Sequence, residues 1–139
     1  MYKFRTMRVD AEERSGPVWA KRGDPRRTWI GVLLRRSSLD ELPQLINVLK
    51  GEMSLVGPRP ERPMFIGNLA SEIPDYLGRL RVKSGMTGWA QIHGLRGGES
   101  SMAERVQCDL YYIEHWSVGL DLRILFQTVF SLHRQPNAY

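Results

Sequence analysis

The feature that most constrains the fold is the periodicity of one segment, SLDELPQLINVLKG, residues 38–51. Its apolar residues recur every three or four positions, which places them on one face of an α-helix. Five residues form this face: Leu39, Leu42, Leu45, Ile46 and Leu49. Gly51 stands where a helix would end in a left-handed residue, a conformation that glycine adopts without steric cost. The pattern therefore predicts a helix that begins near Ser38 and ends at Lys50.

The start of this helix has two interpretations. Ser38 and Glu41 have the spacing of a capping box, but Pro43 would then lie beyond the first turn and remove one backbone hydrogen bond. Alternatively, Asp40 is itself the N-cap and Pro43 lies inside the first turn. Either way, Asp40 and Glu41 are adjacent carboxylates at the positive end of the helix dipole. Acidic residues are also common at helix starts for structural reasons alone, so the pair by itself does not define a site.

An arginine between two prolines follows the helix, in GPRP, residues 57–60. Each proline fixes its own φ and favours an extended conformation in the residue before it, so Arg59 is held on a stiff backbone. A guanidinium aimed in this way can bind a phosphate through two parallel hydrogen bonds. Taken alone, Arg59 is equally well interpreted as a surface arginine of a loop.

A glycine-rich passage, RVKSGMTGWAQIHGLRGGES, occupies residues 81–100. Its glycines permit tight turns and a close approach of the backbone to a ligand, and Arg81 and Arg96 add positive charge. The passage matches neither the P-loop pattern nor the dinucleotide-binding fingerprint. It therefore indicates a possible anion site only weakly.

Length and composition favour one domain. The chain has 139 residues, of which 42% are hydrophobic, and this is enough to bury a core. A single cysteine, Cys108, excludes an internal disulfide and a cysteine-rich zinc site, and it fits a reducing compartment. No apolar run approaches the roughly 18 to 20 residues that a membrane-spanning helix needs.

Positive charge is concentrated at the beginning of the chain. Up to Arg36 there are ten basic and four acidic residues, whereas the remainder has ten basic and eleven acidic residues. A basic segment can bind nucleic acid, anionic lipid or a phosphorylated small molecule, and charge alone does not choose among them. Nucleic-acid binding would need interleaved aromatic residues or a reading helix, and neither is clear in the sequence, so no nucleic-acid partner is predicted.

The remaining segments indicate a mixed fold. YKFRTMRV, residues 2–9, alternates like a strand, and further short strands are expected near Met53 and Met86. A helix is expected over residues 101–116, with Ser101 and Glu104 as a possible capping box.

A second C-terminal helix is expected over residues 118–132, where the sequence is strongly apolar. It either packs in the core or lies along a membrane surface with Trp116 at the interface. The predicted fold class is mixed α/β (α+β), a helix-dominated single domain with a few short strands and amphipathic membrane-surface helices.

Four long stretches, in this order, point to a known family: YKFRTMRVDAE, DPRRTWIGVLLRRSSLDELPQLINVLKGEMSLVGPRPERP, RVKSGMTGWAQIHGLRG and CDLYYIEHWSVGLDLRIL. The sequence resembles the bacterial sugar transferases, which are monotopic polyprenyl-phosphate phosphoglycosyl transferases. The resemblance covers Tyr2 to about Thr128. Members of this family carry a membrane element before the KFRTM segment, so the resemblance implies that residues 1–139 are a catalytic domain separated from its anchor.

The resemblance implies an activity and a cofactor. A phosphosugar would pass from a UDP-sugar to a polyprenyl phosphate, such as undecaprenyl phosphate, with release of UMP and a requirement for Mg²⁺. By motif position, Asp40 would be the nucleophile, forming an aspartyl phosphosugar, and Glu41 would help to hold the metal. This reaction would be the first membrane step of exopolysaccharide, O-antigen or glycan synthesis, at the cytoplasmic leaflet of the bacterial inner membrane.

The resemblance also implies a set of residues that contact the substrate. Six residues are carried over by motif position: Lys3, Arg59, Pro60, Arg81, Arg96 and Asp121. For Lys3 and Asp121, a structural ion pair is an equally good interpretation. A catalytically inactive membrane scaffold and a basic nucleic-acid-binding module are the alternatives to the enzyme.

Overall fold

The computed structural model describes residues 1–13, 16, 18–20, 23–95 and 101–134, with side chains described up to residue 130. Six α-helices lie in these residues: α1 (Trp29–Arg36), α2 (Gln44–Leu49), α3 (Pro63–Glu72), α4 (Trp89–Ile92), α5 (Met102–Glu114) and α6 (Val118–Arg134). There are also two 3-10 helices, Leu39–Glu41 and Tyr76–Arg81, and two strands, β1 (Ser54–Val56) and β2 (Gly85–Thr87). The predicted helix-dominated α/β class is confirmed.

The two strands form a small parallel sheet in the regions expected to be extended. Ser54 pairs with Gly85 and Val56 pairs with Thr87. The backbones approach so closely beyond the strands that a Cβ on Gly85 would lie 2.6 Å from the Cα of Gly57. Glycine at both positions therefore allows β2 to pack directly against the loop that follows β1.

The strand predicted over residues 2–9 is wrong. This segment forms only an isolated antiparallel bridge, between Met7 and Arg27. Its backbone is satisfied by other partners, because Phe4 N donates to Asp40 O at 3.0 Å and Thr28 N donates to Thr6 O at 3.0 Å. The apolar residues Tyr2, Phe4 and Val9 of the alternating pattern are exposed, and Thr6 is the buried residue of the segment.

The helix containing the acidic pair begins differently from both predictions. Ser38 has a φ of 56° and makes no capping hydrogen bond with its side chain, so the capping box does not form. Asp40 lies inside a 3-10 turn and is not an N-cap, and the regular helix α2 begins only at Gln44. Pro43 explains the change, because it has no N–H to donate to the preceding turn. Leu42 N instead donates to Leu39 O at 3.2 Å and closes the tighter turn.

The C-terminus of α2 follows the prediction. Gly51 has a φ of 74°, the left-handed conformation expected after the last helical turn. Gly51 N donates to Val48 O and Glu52 N donates to Asn47 O, both at 2.9 Å. These two bonds are those of a Schellman motif, which satisfies carbonyl groups at the end of a helix.

The apolar face predicted for residues 38–51 points outward. Its five residues, Leu39, Leu42, Leu45, Ile46 and Leu49, are each more than 40% exposed, and the residues of α2 that face inward are Gln44 and Asn47. Periodicity thus identified a real face but not the side that packs on the domain. In the described part of the chain, none of the helices combines the length and apolarity required to cross a bilayer.

The two C-terminal helices confirm the prediction and complete the core. Ser101 caps α5 by accepting a hydrogen bond from Glu104 N at 3.4 Å. Val56 of β1, Tyr112 of α5 and the fully buried Ile124 of α6 form the centre of the hydrophobic core. One face of α6 is therefore packed inward, and the other remains exposed.

Candidate active site

The acidic pair is brought together with Lys3. The Nζ atom of Lys3 lies 3.0 Å from Asp40 Oδ2 and 3.1 Å from Glu41 Oε1. The side chain of Asp40 is only 4% exposed, and that of Lys3 is 30% exposed. The hydrogen bond from Phe4 N to Asp40 O fixes the N-terminal segment against the 3-10 turn. Lys3 consequently covers the Asp40 carboxylate and balances part of the charge of the pair.

Arg59 contacts the second carboxylate of the pair. Its Nη2 atom donates to Glu41 Oε1 at 2.6 Å, and its Nη1 atom lies 3.4 Å from Glu41 Oε2. Burial alone would raise the pKa of Glu41, but the charges and hydrogen bonds of Arg59 and Lys3 outweigh it and lower the pKa to about 2. Glu41 is therefore an anion at all physiological pH values.

The loop that carries Arg59 is held by more than its two prolines. Gly85 N donates to Pro58 O at 2.9 Å, and Arg79 Nη2 donates to Arg59 O at 2.8 Å. Arg79 also forms an ion pair with Asp109 at 2.7 Å, and both side chains are almost completely buried. The backbone at Arg59 is thus restrained by the two prolines and by two hydrogen bonds to its carbonyl groups. One bond comes from the glycine-rich segment, and the other comes from the Arg79 side chain.

A buried ionic cluster lies behind this loop. Burial raises the pKa of Asp109 to about 6 in spite of the attraction of Arg79, and burial also raises the pKa of Glu61. Arg105 Nη1 lies 3.5 Å from Glu61 Oε1. The cluster places three cationic groups, Arg59, Arg79 and Arg105, close to one another, and each forms an ion pair with a carboxylate.

Arg35 is a site residue that the sequence did not single out. Its Nε atom donates to Thr6 Oγ1 at 2.7 Å. Burial lowers the pKa of Arg35, and the nearby charge of Asp40 opposes that shift. Arg35 lies in the last turn of α1, five residues before Asp40, but the left-handed turn at Ser38 between them has no sequence signature.

A polar cavity of about 320 Å³ opens beside Arg59 and Arg35. Its lining also includes Glu12, Trp19, Glu61, Arg62, Phe65 and Arg105. Four arginines around one space make the cavity suitable for an anionic ligand, and its size is in the range of about 300 to 1,000 Å³ that is typical of small-molecule sites.

A second cavity, of about 200 Å³, is lined mostly by apolar atoms. It is bordered by Glu41 and Leu42 on one side and by Leu125 and Thr128 of α6 on another. The two cavities share no lining residue. Arg59 lines the polar cavity, Glu41 lines the apolar cavity, and these two residues form an ion pair.

Among the described residues predicted for the site, Pro60, Arg81 and Asp121 form no ion pair or hydrogen bond with the acidic pair. Arg81 ends the Tyr76–Arg81 helix and is exposed. Asp121 accepts hydrogen bonds from Tyr112 Oη at 2.8 Å and Trp116 Nε1 at 3.2 Å, and it thereby ties α5 to α6. Pro60 lies in the extended loop after Arg59, and Arg96 falls outside the described residues.

The acidic pair fits one mode of magnesium binding. Among the residues that the structure describes, no three His, Cys, Asp or Glu residues are grouped as a metal site. Mg²⁺ is, however, commonly held by one or two carboxylates together with the phosphates of a substrate. Asp40 and Glu41 supply the two carboxylates, and the oxygens of both already bind a cationic group, Lys3. The donor set therefore suits a metal that arrives with a phosphorylated substrate.

Comparison with known proteins places the domain in a family. The family model for bacterial sugar transferases matches residues 1–135. The chain belongs to the bacterial sugar transferase family. The predicted resemblance is thus confirmed for nearly the whole sequence.

Three relatives are similar to the chain over more than nine-tenths of its length. The UDP-glucose:undecaprenyl-phosphate glucose-1-phosphate transferase of Caulobacter vibrioides is 46% identical, over 99% of this chain and 52% of that protein. The protein of the same name in Escherichia coli K12 is 49% identical, over 100% of this chain and 30% of its own. The UDP-N-acetylgalactosamine-undecaprenyl-phosphate N-acetylgalactosaminephosphotransferase of Aeromonas hydrophila is 43% identical, over 93% and 30%. The chain spans about half the length of the first relative and less than a third of the other two.

Proposed function

We propose that this sugar transferase domain moves a phosphosugar from a UDP-sugar to a polyprenyl phosphate. The single observation that carries the proposal is the cluster of Asp40, Glu41, Lys3 and Arg59, in which Arg59 lines the polar cavity and Glu41 lines the apolar cavity. The names of the relatives, which are transferases acting on UDP-sugars and undecaprenyl phosphate, agree with it.

In the first half of the reaction, an Asp40 carboxylate oxygen attacks the β-phosphorus of the UDP-sugar. A new bond forms between that oxygen and phosphorus, and the bond from the β-phosphorus to the bridging oxygen breaks. UMP leaves with the electron pair, and an aspartyl phosphosugar remains. Arg59 and Arg35 reduce the repulsion between the carboxylate and the diphosphate and stabilise the charge that develops on UMP.

Lys3 must leave Asp40 before this attack, because it covers the carboxylate in the structure. Its side chain is long, partly exposed and flexible, and a diphosphate carries more negative charge than the carboxylate that Lys3 now contacts. Lys3 would therefore transfer to the substrate phosphates on binding, which exposes Asp40 at the moment when its target is in place.

In the second half, a phosphate oxygen of the polyprenyl phosphate attacks the phosphorus of the aspartyl phosphosugar. The bond to Asp40 breaks, the carboxylate is restored, and the product is a polyprenyl diphosphate sugar. The apolar cavity beside Glu41 and Leu42 suits the first isoprene units of this lipid, and UMP can depart before the lipid enters. Ping-pong kinetics are expected.

Magnesium belongs to this proposal as a cofactor that Glu41 and the substrate phosphates would hold. When bound, it would neutralise phosphate charge and polarise the phosphorus–oxygen bonds. Because the acceptor lipid resides in a membrane, the domain would act at the cytoplasmic face of the bacterial inner membrane.

The proposal is tested by following UMP release from a panel of UDP-sugars, with Mg²⁺ and a polyprenyl phosphate in detergent. We expect the wild-type protein to release UMP with at least one sugar. Asp40→Asn should lower the rate by about 10³-fold or more, since it removes the nucleophile. Asp75→Asn is the control, because it makes the same change at an exposed aspartate next to the Tyr76–Arg81 helix and should leave the rate of UMP release unchanged. A rate unaffected by Asp40→Asn would contradict the proposal.

A further inference from the structure

We propose that the polar cavity of about 320 Å³ holds the uridine of the UDP-sugar, with Trp19 and Phe65 as the surfaces against which uracil packs. This inference rests on the proposed function and assigns a nucleoside subsite that neither the family motifs nor the acidic pair defines.

The position of the cavity follows the direction of the reaction. In a phosphoryl transfer, the attacking and leaving oxygens lie roughly in line on opposite sides of the phosphorus. With Asp40 as the nucleophile, UMP must extend away from Asp40. Arg59 contacts Glu41 and also lines the cavity, together with Trp19 and Phe65. A donor whose phosphates bind Arg59 could therefore place its nucleoside in this cavity.

The two aromatic rings provide a surface suited to a planar base. The ring centroids of Trp19 and Phe65 are 5.3 Å apart at an interplanar angle of 52°, so they form one tilted apolar corner. The guanidinium of Arg105 lies 5.9 Å from the Trp19 ring and that of Arg62 lies 6.0 Å from the Phe65 ring. Each ring of the corner therefore has a guanidinium near it.

Those polar groups match the edge of uracil. The base presents two carbonyl oxygens that accept hydrogen bonds and one N–H that donates. Arg62 and Arg105 are donors, and their carboxylate partners, Glu12 and Glu61, are acceptors. The same cavity thus contains arginines that can bind the phosphate of UMP. It also contains an aromatic corner for the base, with hydrogen-bond donors and acceptors close to it.

The sugar is a weaker candidate for this cavity. It is attached to the β-phosphorus that Asp40 attacks, whereas the nucleoside is one phosphate further away. Relatives that act on glucose and on N-acetylgalactosamine donors share the uridine but not the sugar. The aromatic corner therefore corresponds to the part of the donor that is remote from the acidic pair.

The test measures binding of UMP and of pyrophosphate to the full chain by isothermal titration calorimetry. Trp19→Leu and Phe65→Leu should each weaken UMP about 5- to 100-fold, the range expected for loss of one base–aromatic contact, and should leave pyrophosphate binding unchanged. Trp19→Phe and Phe65→Tyr should retain most of the affinity. Phe126→Leu, at an exposed aromatic residue of α6, is the matched control.

Contacts in the wild-type protein provide a readout that does not depend on folding of the leucine variants. Nuclear Overhauser effects should connect uracil H5 and H6 of UMP with indole protons that disappear from the spectrum of Trp19→Phe. Contacts only to other aromatic residues would overturn the inference.

The remaining outcomes separate this inference from the proposed function. If wild-type protein binds UMP and both leucine variants bind it equally well, the nucleoside subsite is wrong and the function stands. If the variants change the preference among UDP-sugars without changing UMP affinity, the corner holds the sugar and the inference is overturned. If wild-type protein binds neither UMP nor any UDP-sugar, both proposals fail.

Discussion

Lys3 shows how much of the site depends on contacts between residues distant in sequence. It reaches both carboxylates of the acidic pair across almost forty positions of the chain. Family motifs predicted Asp40, Glu41, Arg59 and Lys3, and the structure brings these four together. Local patterns could not do so, because the approach of the N-terminal segment to the 3-10 turn depends on tertiary packing.

Glu41 leads to a prediction about pH. Its pKa is lowered from 4.5 to about 2, so its ionised form stabilises the fold above pH 4.5, and this contribution is lost as the pH falls towards 2. The free energy of unfolding of the wild type minus that of Glu41→Gln should be constant from pH 7 to 5. It should then fall as the pH is lowered from 4.5 towards 2, by about 3 kcal/mol in total and by about 2 kcal/mol at pH 3. Urea denaturation at pH 7, 5, 4 and 3 measures the difference.

The same substitution at an exposed position is the control for this experiment. Glu72→Gln, at the end of α3, removes one negative charge from the surface. A difference for Glu41→Gln that stays flat down to pH 3 would show that Arg59 and Lys3 do not hold this carboxylate ionised.

At the scale of elements, the two-stranded sheet positions Arg59. Glycine permits the contact between β2 and the loop after β1, since a Cβ on Gly85 would lie 2.6 Å from Gly57 Cα and from Thr87 O. Gly85→Ala should therefore destabilise the domain by about 1 to 3 kcal/mol and displace the loop that carries Arg59. We expect a fall of at least about tenfold in UMP release under conditions where the variant is folded, checked by thermal denaturation and the release assay.

Gly67 is the matched control for that variant. It lies inside α3, and a Cβ there would meet nothing within 4 Å. Gly67→Ala should stabilise the domain by up to about 1 kcal/mol, because alanine favours a helix, and should leave activity unchanged. Equal effects of the two substitutions would contradict the role assigned to the close backbone contact.

Elements with strong local signals were predictable, and their boundaries were less so. The end of α2 at Gly51, the capping of α5 by Ser101 and the length of α6 followed from sequence alone. The start of α2 did not, because the sequence allowed two caps whereas the missing N–H of Pro43 produced a 3-10 turn. The strand predicted over residues 2–9 failed because alternation does not reveal whether a partner strand exists.

At the scale of the whole molecule, a set of large apolar side chains remains exposed on α1, α2, α6 and the 3-10 turn before α2. We call it the outer apolar face, and it includes Trp29, Leu33, Leu39, Leu42, Leu45, Ile46, Leu49, Leu122, Phe126 and Phe130. Sequence periodicity identified Leu39, Leu42, Leu45, Ile46 and Leu49 but could not tell an inward face from an outward one, since both produce the same pattern. Apolar surface on this scale is typical of contact with a membrane or another protein.

We predict that the outer apolar face and the basic N-terminal quarter together bind anionic vesicles. Binding should weaken as salt is raised, because surface arginines and lysines contribute about 1 kcal/mol each near anionic lipid. The double variant with Leu122→Ser and Phe126→Ser should bind vesicles more weakly, by about tenfold or more, at every salt concentration. The reason is that serine has less apolar surface to bury in the lipid than leucine or phenylalanine. Flotation with vesicles measures both effects.

Met64→Ser provides the control, because Met64 is an exposed apolar residue of α3, outside the outer apolar face. It should leave flotation unchanged. Binding that persists unaltered in high salt, or that is insensitive to the pair of substitutions on α6, would contradict this prediction.

The central claim is that the Asp40 carboxylate becomes covalently linked to phosphorus during turnover. Its most direct test is intact mass spectrometry after brief incubation with a UDP-sugar and Mg²⁺ but no acceptor lipid, followed by peptide mapping. The account predicts an added mass of one phosphosugar on the peptide that contains Asp40, absent from Asp40→Asn and discharged by polyprenyl phosphate. UMP release without any adduct, or an adduct that persists in Asp40→Asn, would contradict it.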